Sequence, residues 1–468
     1  MHIEQIYTGC LAQGAYYIVS EGEAAIIDPL REIGPYLKRL EKDHVRLKYI
    51  FETHFHADFV SGHLDLSKAT EAPIVYGPQA TPDFDAHIAV DGETFTLGAC
   101  TIRCIHTPGH TLESSCYLLV DAEGKEIALF SGDTLFLGDV GRPDLAQKSA
   151  HMTQNDLAGL LYDSLYQKIL PLPDHITVYP AHGAGSACGK NMMKETVDTL
   201  GNQKRINYAL NQPSREAFIE AVTDGLLPPP AYFGMNVAMN KKGYSTFESV
   251  LKQGLTPLQP AQIEPLREQH DALLLDTRAA GDFCKGFIAG SINIGLKGDF
   301  APWVGTLIGD VKQPLVLICD VGTEEEVVTR LSRVGFDHVL GYLEGSIEAW
   351  QQSGGKIEQL TRISAAQMED ELSVQHSPVI DVRKESEFQK QHLQKARSLP
   401  LAFINDWMNQ IPEEPFYLHC AGGYRSMIAA SLLHARGIRH FKEIEGGYQA
   451  IASTSLPKVE AICTSSCN

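Results

Sequence analysis

"THFHADFVSGH", residues 53–63, decides how the first part of this chain is read. His54, His56 and Asp58 stand at alternating positions, as in a loop that feeds two metal ions and reads H-x-H-x-D-H in full. Here the last His is replaced by Phe59. A phenyl ring offers no lone pair to a metal, so the loop is short of one ligand. The question is whether one metal is still held, and for what chemistry.

Three more clusters lie downstream: "HTPGHT" (106–111), "SGDT" (131–134) and "PAHG" (180–183). They add His110, Asp133 and His182. Each cluster belongs to an apolar run that reads as a strand, such as "LKYIFETH" (47–54), "EIALFSGD" (126–133) and "HITVYPAHG" (175–183). A single His in such a place is most simply a hydrogen-bonded loop residue. Four His and two Asp at consecutive strand ends, each beside turn residues, make a metal constellation. Helical patterns such as "IGPYLKRLEKD" separate the strands, so the layout is mixed α/β, and residues 201–253 read as a helical extension broken by "LLPPPAYF".

The chain of 468 residues is too long for one core, and several domains are expected. Its 39 basic and 58 acidic residues give a formal net charge of -19, which disfavours a nucleic-acid or anionic-membrane partner. No signal-like start or spanning apolar stretch is present, so a cytoplasmic location is expected. Ten scattered cysteines fit a reducing compartment. A homo-oligomer is the expected assembly.

The remainder contains a repeat. "LLLDTRAAGDF" (273–283) matches "PVIDVRKESEF" (378–388), "LVLICDVG" (315–322) matches "FYLHCAGG" (416–423), and "YLEGSIEAW" (342–350) matches "EIEGGYQAI" (443–451). Two copies of a small parallel α/β domain are expected, giving boundaries of 1–253, 254–358 and 359–468. In "HCAGGYRS" (419–426), Cys420 opens a loop whose Gly422 and Gly423 can turn backbone N–H groups inward ahead of a helix N-terminus. Arg425 adds charge and Ser426 a hydroxyl, a nest suited to a thiolate or a sulfur anion. The first copy reads "CDVGTEEE" (319–326), with Glu324 for Arg425 and Glu325 for Ser426. Acidic residues there repel an anionic sulfur donor, so this copy is expected to be inactive. Cys188 is expected to be a packing residue, and the Cys463/Cys467 tail is given no catalytic role.

The four N-terminal motifs in this order resemble the metallo-β-lactamase superfamily, an αββα sandwich. The wording "ETHFHADFVSGH", "TPGHT", "SGDTLF" and "GRPDL" resembles its persulfide dioxygenases most, and the C-x4-R loop of Cys420 resembles the rhodaneses. The resemblance implies one Fe(II) per chain on His54, His110 and Asp133. His56, Asp58 and His182 then orient ligands or move protons, and Arg142 meets a carboxylate of the thiol substrate. Two imidazoles and a carboxylate with open positions suit non-haem iron and O2. The implied activity is oxidation of a low-molecular-weight persulfide to sulfite and thiol, with Cys420 and Arg425 passing sulfane sulfur between persulfide, sulfite and thiosulfate in sulfide detoxification. Two alternatives stay open: a zinc thioester hydrolase of the glyoxalase II kind fused to a sulfurtransferase, and a non-catalytic sulfur carrier.

Overall fold

A computed structural model describes residues 1–147 and 151–460; Cys463 and Cys467 lie outside the described residues. The described residues divide into two compact units, one built mainly from residues 1–249 and the other mainly from residues 250–460.

The first unit holds two six-stranded sheets. One runs in the order His2–Thr8, Gln13–Ser20, Glu23–Ile27, Arg46–Phe51, Ile74–Tyr76, His87–Ile88; the other in the order Asp198–Thr199, Thr177–Pro180, Glu126–Gly132, Ser115–Val120, Cys100–His106, Thr94–Leu97. Side chains alternate across a strand, and here both faces are apolar. Tyr16, Ile18, Ala25, Ile27 and Phe51 meet Ile102, Tyr117, Leu119 and Phe130 between the sheets. Their neighbours Ala15, Tyr17, Ala24 and Ile26 face outward onto Tyr36, Leu40 and Leu66 of helices Gly34–Asp43 and His63–Thr70. On the far side Cys116, Leu118, Leu129 and Val178 pack on Ala158 and Leu161 of helix Gln154–Ser164 and on Phe218 of helix Arg215–Thr223. This makes the αββα sandwich. Phe51, fully buried and 4.6 Å from the Tyr117 ring centroid, sits at its centre; its truncation to Ala costs about 3–5 kcal/mol.

The second unit carries two five-stranded sheets whose neighbours are parallel throughout. The first runs Pro257–Leu258, Val339–Leu343, Leu315–Ile318, Leu273–Asp276, Ile292–Asn293; the second runs Arg362–Ile363, Phe441–Ile444, Phe416–His419, Val379–Asp381, Arg397–Ser398. The strand orders correspond, as the repeat predicts. The shared D-x-R pair turns out to build a turn. Asp276 accepts from the Arg278 backbone N–H at 3.0 Å and pairs with its guanidinium at 2.6 Å; Asp381 and Arg383 do the same at 3.0 and 2.6 Å. Among the described residues no helix is long and apolar enough to cross a membrane.

Candidate metal centre and thiol site

His54, His110, Asp133 and His182 each follow the C-terminal end of a sheet strand, and the fold brings them together. One ligand atom each from His54, His110 and Asp133 falls within 4.8 Å of the others, all three residues being buried. His54 Nε2 lies 3.8 Å and His110 Nε2 3.3 Å from Asp133 Oδ2.

The tautomers follow from the partners of the other ring nitrogens. Thr53 Oγ1 donates its one proton to Asp28 Oδ2 at 2.9 Å, so it accepts from His54 Nδ1–H at 3.0 Å. His110 Nδ1 lies 2.9 Å from the Arg142 carbonyl oxygen, which only accepts. Both Nε2 lone pairs therefore point at Asp133 Oδ2, a buried oxygen with no hydrogen-bond partner. Burial first, then the neighbouring His56, holds His54 well below its ordinary pKa and keeps the ring neutral. Burial pushes the Asp133 carboxyl up, but the charge and hydrogen bond of His182 outweigh it and hold the group ionised. Neutral imidazoles and an orphaned carboxylate oxygen are what a divalent metal requires. This donor set fits one ion.

The other loop residues serve different partners. His182 is clamped by two carboxylates, with Nδ1 2.8 Å from Asp133 Oδ1 and Nε2 2.7 Å from Asp58 Oδ2. Burial pulls its pKa down, yet Asp133 and Asp58 together hold it well above the ordinary value. Asp58, His182 and Cys188 form a second group of possible ligands. Cys188 is indeed buried, but its sulfur lies among these residues, and burial pushes the thiol well up. His56 turns to Asp28 at 3.0 Å and Glu52 at 3.5 Å. It thus shares Asp28 with Thr53, the residue that orients His54. Phe59 is fully buried, its ring 4.3 Å from that of His56 and 6.4 Å from that of His182. Carbon occupies the side where the complete loop would carry an imidazole.

Arg142, which the resemblance implies to meet a carboxylate of the thiol substrate, is paired within the protein. Its Nε and a terminal nitrogen bind Asp144 at 2.6 and 2.7 Å, and the Ala187 and Leu227 carbonyls take further N–H groups. The guanidinium closes the loop on itself, and the Arg142 backbone carbonyl meets His110. Gly141 allows that approach: a Cβ there would stand 2.0 Å from the Asp133 carbonyl oxygen. Asn240, on helix Phe233–Lys242, escaped the sequence reading altogether. It donates to the His56 and Phe59 carbonyls at 2.8 Å each and accepts from Ser61 N–H at 2.9 Å, so the helical extension holds the loop backbone.

In the second unit, Cys420 ends strand Phe416–His419. The carbonyls of Cys420 and Ala421 accept from Tyr448 and Gln449 N–H at 2.6 and 3.0 Å. With the carbonyls turned that way, Gly423 N–H reaches Cys420 Sγ at 3.1 Å, and Ser426 Oγ lies at 3.4 Å. Gly422 precedes this contact in the loop. The two terminal nitrogens of Arg425 bind Glu387 at 2.5 and 2.9 Å, so its charge is paired. The signal for Glu387 stood in the repeated "DVRKESEF", where it was read only as a marker of the repeat. A cavity of about 410 Å³ beside the loop is lined by Asp299, Trp303, Lys384, Glu387, Tyr424 and Arg425.

Two family models match the chain: the metallo-beta-lactamase superfamily over residues 8–182, and the rhodanese-like domain over residues 259–353 and 364–454. The chain is a member of the metallo-beta-lactamase superfamily that carries a tandem of rhodanese-like domains. It is 30% identical over 222 residues to the human mitochondrial persulfide dioxygenase ETHE1, covering 47% of this chain and 79% of that protein. It is 35% identical over 170 residues to a hydroxyacylglutathione hydrolase of Tolumonas auensis, covering 36% of this chain and 60% of that protein, less than two thirds of its length. A solved metallo-beta-lactamase of Staphylococcus aureus superposes with a TM-score of 0.66 at 30% identity, over 73% of this chain and 98% of its own.

Proposed function

We propose that the chain is an iron-dependent persulfide dioxygenase joined to a sulfurtransferase. The reaction is RSSH + O2 + H2O → RSH + SO3²⁻ + 2H⁺. The observation that carries this reading is Phe59: it leaves one His54/His110 pair aimed at Asp133 and removes an imidazole from the second set. Ferrous iron, when bound there, supplies the open positions and redox capacity that O2 chemistry needs. The protein's own part is to hold that set rigid. Thr53 and the Arg142 carbonyl fix the two imidazoles, and Asn240 fixes the loop. His182 keeps a proton at Nε2 facing Asp58, beside the ligand Asp133. Arg142 is proposed as a loop anchor, and substrate recognition is left to other groups. The sulfite released is an acceptor for sulfane sulfur carried by Cys420, which gives the fusion its sense in sulfide oxidation.

The second reading, a zinc thioester hydrolase, is favoured by the similarity to hydroxyacylglutathione hydrolases. A two-metal hydrolase clamps water between its ions, and Phe59 counts against that. The experiment is metal analysis with O2 uptake on a small-thiol persulfide, beside a thioester assay. One iron per chain with O2 uptake, both lost in His110→Ala, supports the dioxygenase. Two zinc ions with thioester hydrolysis and no uptake would sink it.

A further inference from the structure

The Cys420 loop rests on a buried carboxyl that nothing above uses. Glu443 lies on strand Phe441–Ile444 and is fully buried. Its Oε1 is 2.5 Å from Ser426 Oγ, which in turn is 3.4 Å from Cys420 Sγ. Its Oε2 is 2.7 Å from Arg362 Nε, and Arg362 also approaches Glu445 at 3.6 Å. The loop packs directly on this pair. Gly423 has φ +98°, and a Cβ there would stand 2.8 Å from an Arg362 terminal nitrogen.

Ser426 has one hydroxyl proton and two acceptors, the carboxylate and the sulfur. It serves one of them at a time, which is the arrangement of a proton path. We propose that Glu443 acts through Ser426 as the proton acceptor for the Cys420 thiol, so that sulfur transfer starts from a thiolate. Glu443 touches neither the sulfur nor a substrate, so it is a positioning residue for the proton; the proposal rests on the sulfurtransferase reading of Cys420. The step balances within the protein. The Cys420 S–H bond breaks as its proton bonds to Ser426 Oγ, and the electron pair stays on sulfur. The Ser426 O–H bond breaks as its proton bonds to Glu443 Oε1. The renewed Ser426 hydroxyl then donates to the thiolate. No oxidant or reductant is involved.

Two observations favour this over a purely structural carboxyl. The first is the other repeat, in which strand register puts Tyr342 opposite Pro257 where Glu443 stands opposite Arg362. Glu325 replaces Ser426. That copy keeps its sheet and its cysteine with every member of the path exchanged, so the fold does not need the path. The second is the carboxyl's surroundings. Burial pushes Glu443 up to about 7, against the pull of Arg362 and the Ser426 hydrogen bond, with Glu445 adding a small push. Glu443 also bears on the Cys284 thiol of the first repeat, adding a small push upward. An ordinary thiol at about 8.5 and an ordinary glutamic acid at about 4.3 differ by roughly four decades in proton affinity. Burial raises the proton affinity of Glu443 toward that of a thiol.

The test is the alkylation rate of Cys420 in the full chain, read by peptide mass with iodoacetamide across pH, in Glu443→Gln, Ser426→Ala and Ser426→Thr. Alkylation reports the thiolate without requiring sulfur transfer. Glu443→Gln and Ser426→Ala are each expected to slow the reaction roughly tenfold at neutral pH and to converge with wild type in alkali. Ser426→Thr, which keeps a hydroxyl, is expected to react like wild type. A faster Glu443→Gln overturns the proposal, because removing a buried negative charge without a proton path favours the thiolate. An unchanged rate overturns it too. Should Glu443→Gln fail to fold, equal rates in Ser426→Ala and Ser426→Thr do the same. If the pattern appears in a protein that moves no sulfur from thiosulfate, the sulfurtransferase reading fails and the proton path stands.

Discussion

The two rhodanese-like repeats share a strand order, a D-x-R turn and a cysteine after the Leu315–Ile318 or Phe416–His419 strand. They differ in what the loop N–H finds. In the second repeat Gly423 N–H reaches Cys420 Sγ at 3.1 Å. In the first, the matching Gly322 N–H goes to Glu324 Oε2 at 2.8 Å. A carboxylate two residues further on has taken the anion's place. Burial first, then Glu324, pushes the Cys319 thiol up to about 12. The partner of Arg425 has changed as well: Glu387 clamps Arg425, whereas Asp282 at the matching position pairs with exposed Lys285 at 3.0 Å. The first nest is thus filled from within by Glu324, where the second meets a sulfur.

The comparison breaks most visibly at the cysteines. Cys420→Ser is expected to lower thiosulfate–thiol sulfur transfer on the order of a thousandfold or more, since a hydroxyl cannot hold sulfane sulfur. Cys319→Ser is expected to stay within about threefold of wild type, under 1 kcal/mol of barrier. Oxidation of added RSSH should persist in both, and product chromatography beside O2 uptake checks it. In Cys420→Ser the sulfur product should be sulfite alone. If O2 uptake stops in Cys420→Ser while the metal stays bound, the two sites are not separable.

Arg425→Glu is the next largest effect, because it writes the charge of Glu324 into the second repeat. Two carboxylates, Glu387 and the new one, would then face each other at the cavity wall. Arg425 also holds the Glu387 carboxyl below its usual range, chiefly through their hydrogen bonds. A loss of about a hundredfold in sulfur transfer is expected, near 2.7 kcal/mol of barrier. Arg425→Lys should keep part of the activity, since it retains charge and loses the two-pronged fit. Equal rates in wild type and Arg425→Glu would remove the pair from the account.

Most of the fold was legible because its strands announce themselves. Runs such as "EIALFSGD" are apolar on both faces and end at polar clusters, and the repeat fixed two copies of one domain. His54, His56, Asp58, His110, Asp133 and His182 were legible as candidate ligands for the same reason, as residue types that metals need at strand ends; the choice of His54, His110 and Asp133 among them came only with the resemblance. What stayed hidden involves backbone atoms and long separations. No pattern shows that the Arg142 carbonyl, rather than its side chain, meets His110, nor that Asn240 holds the loop at His56 and Phe59. Glu387 and Glu443 stood inside the quoted repeats. Their partners Arg425 and Ser426 come from a different strand–helix junction, so pairing could not be read along the chain.

The smallest expected effect separates the two causes acting on Cys319. Glu324→Gln removes the charge that fills the first nest and weakens the acceptor of Gly322 N–H. The sulfur is still buried, and burial is the larger cause of its raised pKa. Alkylation of Cys319 at neutral pH should therefore rise only about three- to tenfold, well short of Cys420. The sign follows from the direction of the shift: a raised thiol pKa leaves little thiolate at neutral pH, and removing a negative charge lowers it. The rate should climb with pH in both proteins, with Glu324→Gln ahead at every point below the thiol's own titration. Sulfur transfer should be unchanged, because Tyr342 and Pro257 still stand where the other repeat has Glu443 and Arg362. If Glu324→Gln brought Cys319 up to the reactivity of Cys420, charge alone would separate the repeats, and burial and the missing proton path would count for nothing.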